Sequence, residues 1–176
     1  MRAERNTFSI GMLIGLSSWT LIFVTLMWGY VTYRLRAESW LQGYITPQAY
    51  GLAVCNTVAL IASSVALNYG FKQRPLQGWI FAAFILGVVF LAGQTLLWQM
   101  FLEQGLHWQS SQAGSFFFLL TGFHFLHIIV AVPALLILAL RFKVMQGSML
   151  GRGIKYFWDM LLAVWLIVFA LVFIIK

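Results

Sequence analysis

Two histidines three residues apart, His124 and His127, sit in a stretch with no charged residue from Trp108 to Leu140. Imidazole is the commonest side-chain ligand of transition metals and a frequent axial ligand of haem. In hydrocarbon it also demands a partner, because an unsatisfied polar group there is costly. Two chemistries therefore compete: a metal or haem site, or buried imidazoles hydrogen-bonded to neighbouring helices. A bis-histidine haem needs ligands from facing helices, and the remaining histidine, His107, lies at the end of a connecting loop outside the apolar core. Side chains at i and i+3 hold one edge of a metal, yet no acid or cysteine comes near them in sequence. The single cysteine, Cys55, excludes an internal disulfide and any multi-cysteine site, and its apolar surroundings read as a small buried hydrophobe. The residues favour the structural reading.

The elements that must position these histidines follow from composition. Hydrophobic residues make up 62% of the 176 and charged residues 9%, against roughly 25% charged in a soluble domain. Such a chain is a polytopic membrane protein, all-α, because only helices or closed barrels satisfy the backbone in lipid. Uncharged or nearly uncharged runs long enough to span a bilayer cover 8–33, 50–71, 76–101, 114–140 and 156–175. We read five transmembrane helices forming one membrane domain over 1–176. The first run is too long for a signal-peptide core and is read as a retained helix. The net charge of +7 does not point to nucleic acid, since the basic residues lie between the spans. Arg2, Arg5, Lys72, Arg74, Arg141, Lys143, Arg152 and Lys155 fall on one side, and Arg34, Arg36 and Lys176 on the other. That asymmetry places the N-terminus in the cytoplasm and the C-terminus outside. Pro75 marks a helix start, and Pro133 inside the fourth span frees the carbonyl of Ile129 and is expected to kink the helix.

The faces of the spans carry further signals. Small residues line the first span: Gly11, Gly15, Ser18, Thr25 and Gly29. This spacing is expected to let another helix approach closely. The second span offers Asn56, Ser63 and Ser64, and the third Gly87, Gln94 and Gln99. Amides and hydroxyls in lipid bond across helices more often than they line a transport path, which would bring more carboxylates. On the fourth span Thr121, His124 and His127 fall near one face, with Phe117 and Ala131 continuing it.

The run from Gly114 to His127, GSFFFLLTGFHFLH, closely resembles the signature of subunit III of the haem-copper oxidases, G-S-F-F-x-x-T-G-F-H-x-x-H. Its members are the cytochrome c oxidase subunit 3 chains. The order of the other motifs agrees. Asn56-Thr57 followed by Ser63-Ser64 looks like the family's N-T-x-x-L-x-x-S-S helix. Gly87 to Leu91, then Gln94 and Trp98, look like its G-x-x-F-L-x-x-Q-x-x-E-W helix. Gly11-Met12 through Ser18, Tyr30 and Arg34 fit the first helix, and Phe157-Trp158 with Trp165 and Phe169 resemble the last. The resemblance covers all five spans, as in the short bacterial form. The chain also departs from the family. Trp19 and Leu97 stand where members commonly bear buried acids, and Asp159 and Leu162 stand for a histidine and an aspartate of the final helix.

The resemblance implies a subunit with no redox centre of its own and no catalytic, cofactor-binding or metal residue. Haem and copper would belong to partner subunits, and the chain would pack on the catalytic subunit I, with subunit II, in the bacterial inner (cytoplasmic) membrane. A lipid-filled cleft between the first two helices and the rest, with bound phospholipid, is also implied, as is support of proton uptake and of aerobic electron transport. The residues expected to carry the fold are Gly11, Gly15, Ser18, Asn56, Ser63, Ser64, Gln94, Trp98, Thr121, Gly122, His124, His127, Asp159 and Trp165. The histidines are expected to brace the fourth helix against the third or fifth through Gln94 or Asp159. Alternatives at this stage are the accessory subunit of a nitric oxide reductase or quinol oxidase, a small transporter, and a di-histidine cytochrome.

Overall fold

The computed structural model describes residues 2–37, 40–41, 43–72, 77–145 and 147–175, with side chains from residue 10 onward except 13 and 16. The described residues form helices α1 (Arg2–Arg34), α2 (Pro47–Lys72), α3 (Gln77–Glu103), α4 (Gln112–Leu140), a short α5 (Phe142–Met145) and α6 (Met149–Phe169). A π-helical turn over Ala170–Ile174 extends α6. No strand occurs among them. The five long helices are each long and apolar enough to cross a membrane. The chain is a multi-pass membrane protein.

Local chemistry sets the helix ends. Glu103 is followed by Gly105 with φ of +84°, and the amides of Gly105 and Leu106 bond back to Leu102 and Phe101. This is the hydrogen-bond pattern that closes a helix on a left-handed glycine. Ser111 and Ser148 cap α4 and α6, their hydroxyls accepting from the amides of Gly114 and Gly151 at 3.0 Å. In both, the capping turn folds so tightly that a Cβ on the glycine would collide with a backbone carbonyl, His107 for Gly114 and Met145 for Gly151. The Ser148 cap also explains why the last helix begins at Met149 and not near residue 156: the run was bounded by Arg152 and Lys155, which the first turns of α6 accommodate. α4 continues unbroken through Pro133. Pro75 lies outside the described residues.

α2 packs along α3, α3 along α4, and α6 closes against α2 and α4. α1 lies on α4 and α6, and among its described hydrophobic side chains it buries Phe23, Met27 and Tyr30. The core is aromatic, with Phe90, Phe101, Phe117, Trp158 and Trp165 fully buried. Gly70 admits Ile80 at the α2–α3 turn, and Gly87 admits Trp158 of α6 and Val132 of α4. At the opposite end, Arg34 donates to the carbonyls of Leu171 (2.6 Å) and Ile175, and the Tyr30 hydroxyl to Leu171 (3.3 Å). These contacts satisfy carbonyls at the end of the last span and tie α1 to it.

Three expectations are corrected. Gly11 and Gly15 face open space with nothing near their missing Cβ atoms, and Ser18 is exposed and bonds its own Ile14 carbonyl at 2.9 Å. Those three do not pack helices within this chain. The close approaches on that side fall at Gly29, against Phe116, and at Gly153 of α6, against Met12. Cys55 is exposed, because it lies on the α2 face turned away from α3 and α6. Among the described residues the first two helices do not stand apart as a pair, since α2 is bound into the bundle through Ser63 and Asn56 while α1 is peripheral.

Candidate functional site

The histidine region is built where α3, α4 and α6 meet. His124 is completely buried, its ring 5.1 Å from Trp165 of α6, 5.9 Å from Phe90 of α3 and 6.2 Å from Phe23 of α1. His127, one turn on, faces α1. Its ring lies edge-on to Trp19 at 4.6 Å and 5.4 Å from Phe23. Nδ1 of His127 is 2.5 Å from the Phe123 carbonyl oxygen. A carbonyl only accepts, so Nδ1 carries a hydrogen in this contact. The two imidazoles thus turn to different neighbours.

Neither is held by Gln94 or Asp159 as expected. Gln94 is buried and its Oε1 accepts from Asn56 Nδ2 at 3.5 Å. Asn56 comes so close to α3 that a Cβ on Gly93 would strike its amide. Asp159 accepts from Ser64 (2.5 Å), Asn68 (3.0 Å) and Lys155 (2.9 Å). It lies six residues, about 9 Å along α6, before the level of Trp165 and His124, which is why it clasps α2 near the basic end instead of reaching the histidines. Asn68 and Lys155 escape the sequence reading. Their signal is the four-residue offset from Ser64 and Asp159, which puts each on the same helix face.

The remaining polar contacts link the same helices. Trp98 Nε1 donates to Thr121 Oγ1 at 3.1 Å, joining α3 to α4, and Thr121 donates to the Phe117 carbonyl at 2.7 Å. Trp165 Nε1 donates to Thr57 Oγ1 at 3.0 Å, joining α6 to α2, and Ser63 donates to the Ala83 carbonyl of α3 at 2.7 Å. Gly122 has open space where its Cβ would be. Among the described residues no group of three or more His, Cys, Asp or Glu side chains gathers that would hold a metal. The histidine donor set also fails the fit for haem, because His124 is hemmed by three rings and His127 is turned to the opposite helix. What this arrangement does chemically is packing: indoles, imidazoles and hydroxyls lock four helices in register.

Comparison with known proteins bears on what carries such a bundle. The family profile described as cytochrome c oxidase subunit III matches residues 2–176. The chain belongs to that family. It is the subunit III family of the haem-copper oxidases, and membership implies a complex with other oxidase subunits. Among curated relatives, the "Probable cytochrome c oxidase subunit 3" of Nocardia farcinica is 30% identical over 181 residues, covering 97% of this chain and 89% of that one. The "Cytochrome c oxidase subunit 3" of Corynebacterium diphtheriae is 29% identical over 186 residues, with the same coverage. That of Synechocystis is 29% identical over 179 residues, covering 94% of this chain and 74% of its own. The run that resembles the subunit III signature lies on α4, and its two histidines are buried. The departures from the subunit III pattern also acquire a geometry. Trp19 packs edge-on between His127 and Phe157. Leu97 is fully buried in the α3 core, where an ionised acid would have had to find a partner.

Proposed function

We infer that this chain is a non-catalytic subunit III of a proton-pumping haem-copper terminal oxidase, a cytochrome c oxidase of the bacterial inner membrane. It forms one membrane unit over its whole length and packs on the catalytic subunit I, with subunit II in the same assembly. Haem and copper reside in those partners, and this chain's own residues brace and orient. The observation that carries the reading is the make-up of the interior. Of the positions where the family commonly bears an acid, one is filled by the buried Leu97 and the other by Trp19, which packs on His127 and Phe157, and Asp159 in the last span is bound to Ser64, Asn68 and Lys155. Such an interior suits a scaffold that holds the catalytic subunit in shape. Phospholipid is held along its flank: Met12, Gly15, Trp19, Gly153 and Phe157 line an apolar groove of about 350 Å³ between α1 and α6.

The test is to compare the intact oxidase with the same oxidase stripped of this chain. Both are expected to start at similar rates of oxygen reduction, the stripped form losing activity after several-fold fewer turnovers. Equal durability of the two forms contradicts the scaffold role.

A further inference from the structure

Five buried side-chain polar atoms have no hydrogen-bond partner among the described residues, and three of them belong to one neighbourhood: Nε2 of Gln94 and both ring nitrogens of His124. Gln94 and His124 are each completely buried. Their proximity follows from the rows that α3 and α4 present to each other. On α3, Phe90, Gln94 and Trp98 succeed one another a turn apart on one side of the helix. Trp98 bonds Thr121 of α4, and Phe90 reaches His124, one turn beyond Thr121. Gln94 lies between those two contacts and so stands at the level of the imidazole. Its Oε1 is engaged by Asn56 of α2, which leaves the amide nitrogen to the other side. Among the described residues, the rings that wall His124 bring it no hydrogen-bond partner. Phe23 and Phe90 are rings, and the Trp165 indole is spent on Thr57.

The geometry points to a mid-membrane hydration site: an ordered water that accepts from Gln94 Nε2 and donates to the unprotonated ring nitrogen of His124. A neutral imidazole has one donor and one acceptor nitrogen, and a primary amide nitrogen only donates. The two side chains therefore offer complementary roles to one molecule that both donates and accepts. A buried water needs two to four polar partners, and this layer supplies them in surroundings otherwise closed by rings. The water fixes the tautomer of His124 and joins α3 to α4 at the level where Trp165 already joins α6 to α2. On this view the first histidine of the signature helix is the anchor of a water-bridged joint and takes no metal.

The membrane assembly isolated through a tag on this chain provides the test. A cryo-EM map fine enough to show ordered waters is expected to carry a peak at hydrogen-bond distance from both Gln94 Nε2 and a His124 ring nitrogen. A dry layer, with the amide touching the imidazole directly or the two separated by rings, overturns the inference. Thermal release of this chain from the same assembly gives an independent reading. If one water serves both groups, Gln94→Met and His124→Phe each lower the release midpoint, and the double variant lowers it by less than the sum of the two, because the water is lost once while Gln94→Met also gives up the bond to Asn56. Losses that add in the double variant overturn the shared water.

Discussion

At Gly87 a hydrogen in place of a methyl group decides how closely α6 approaches α3. A Cβ there would stand 2.8 Å from Cη2 of Trp158 and 3.1 Å from Cγ2 of Val132. Both neighbours are buried, and the Trp158 ring is too rigid to yield cheaply. Gly87→Ala is therefore expected to cost about 1–3 kcal/mol by overpacking. Gly122→Ala, in the signature run, meets nothing within 4 Å and is expected to be neutral or to gain up to about 1 kcal/mol from helix propensity. Thermal denaturation of the two variants in detergent separates them, and equal losses would refute the packing argument. At this scale the sequence was legible in residue type and weak in partner. His124, Gln94, Thr121 and Asp159 were identifiable as intramembrane polar groups, because lipid makes any polar residue conspicuous. Which groups they meet depends on the rotation and axial offset of whole helices, and no single span encodes that. Hence Asp159 pairs with Ser64 and Asn68, while His127 rests on Trp19.

The helices themselves were plain, because a bilayer demands about 20 apolar residues per span, and each of the five expected runs coincides with a helix, to within one residue where it overruns the helix end. Their ends were less so. Charged residues such as Arg152 and Lys155 sit within the first turns of α6 and hid its true start, which Ser148 sets by capping. The small-residue stripe of α1 was misread for another reason. Small residues mark a face that permits close approach, yet within this chain Gly11 and Gly15 have no neighbour to approach. The element ends also carry the topology. Gln77 donates to the Ala139 carbonyl and Phe71 packs on Phe142, so Lys72, Arg141, Lys143, Arg152 and Lys155 share one end of the bundle, with Arg34 and Arg36 at the other. We propose that the basic end faces the cytoplasm; a reporter that works only outside the cytoplasm is then expected to be active after α1, near residue 40, and silent after α2, near residue 74. The reverse pattern would invert the proposed orientation.

For the molecule as a whole, the family was legible because its signature lies in one helix and its other motifs follow in order over the full chain, as the match over residues 2–176 reflects. Its surroundings were not legible. An exposed apolar surface such as Leu119, Leu126, Ile129 and Val130 of α4 looks the same whether lipid or another subunit covers it, since the two are equally apolar. The interior gives the sharper indication: uncharged rings and hydroxyls brace α2, α3, α4 and α6, and no metal-holding group of His, Cys, Asp or Glu is assembled among the described residues. A chain of this kind acts through what it holds in place. The most direct measurement is to solubilise the membrane gently, recover this chain through a tag, and record the partner masses and the optical spectrum. The account predicts copurified oxidase subunits carrying haem and copper, with the colour lost when this chain is separated from them. Recovery of the chain alone, or a haem band that stays with the separated chain, would contradict it.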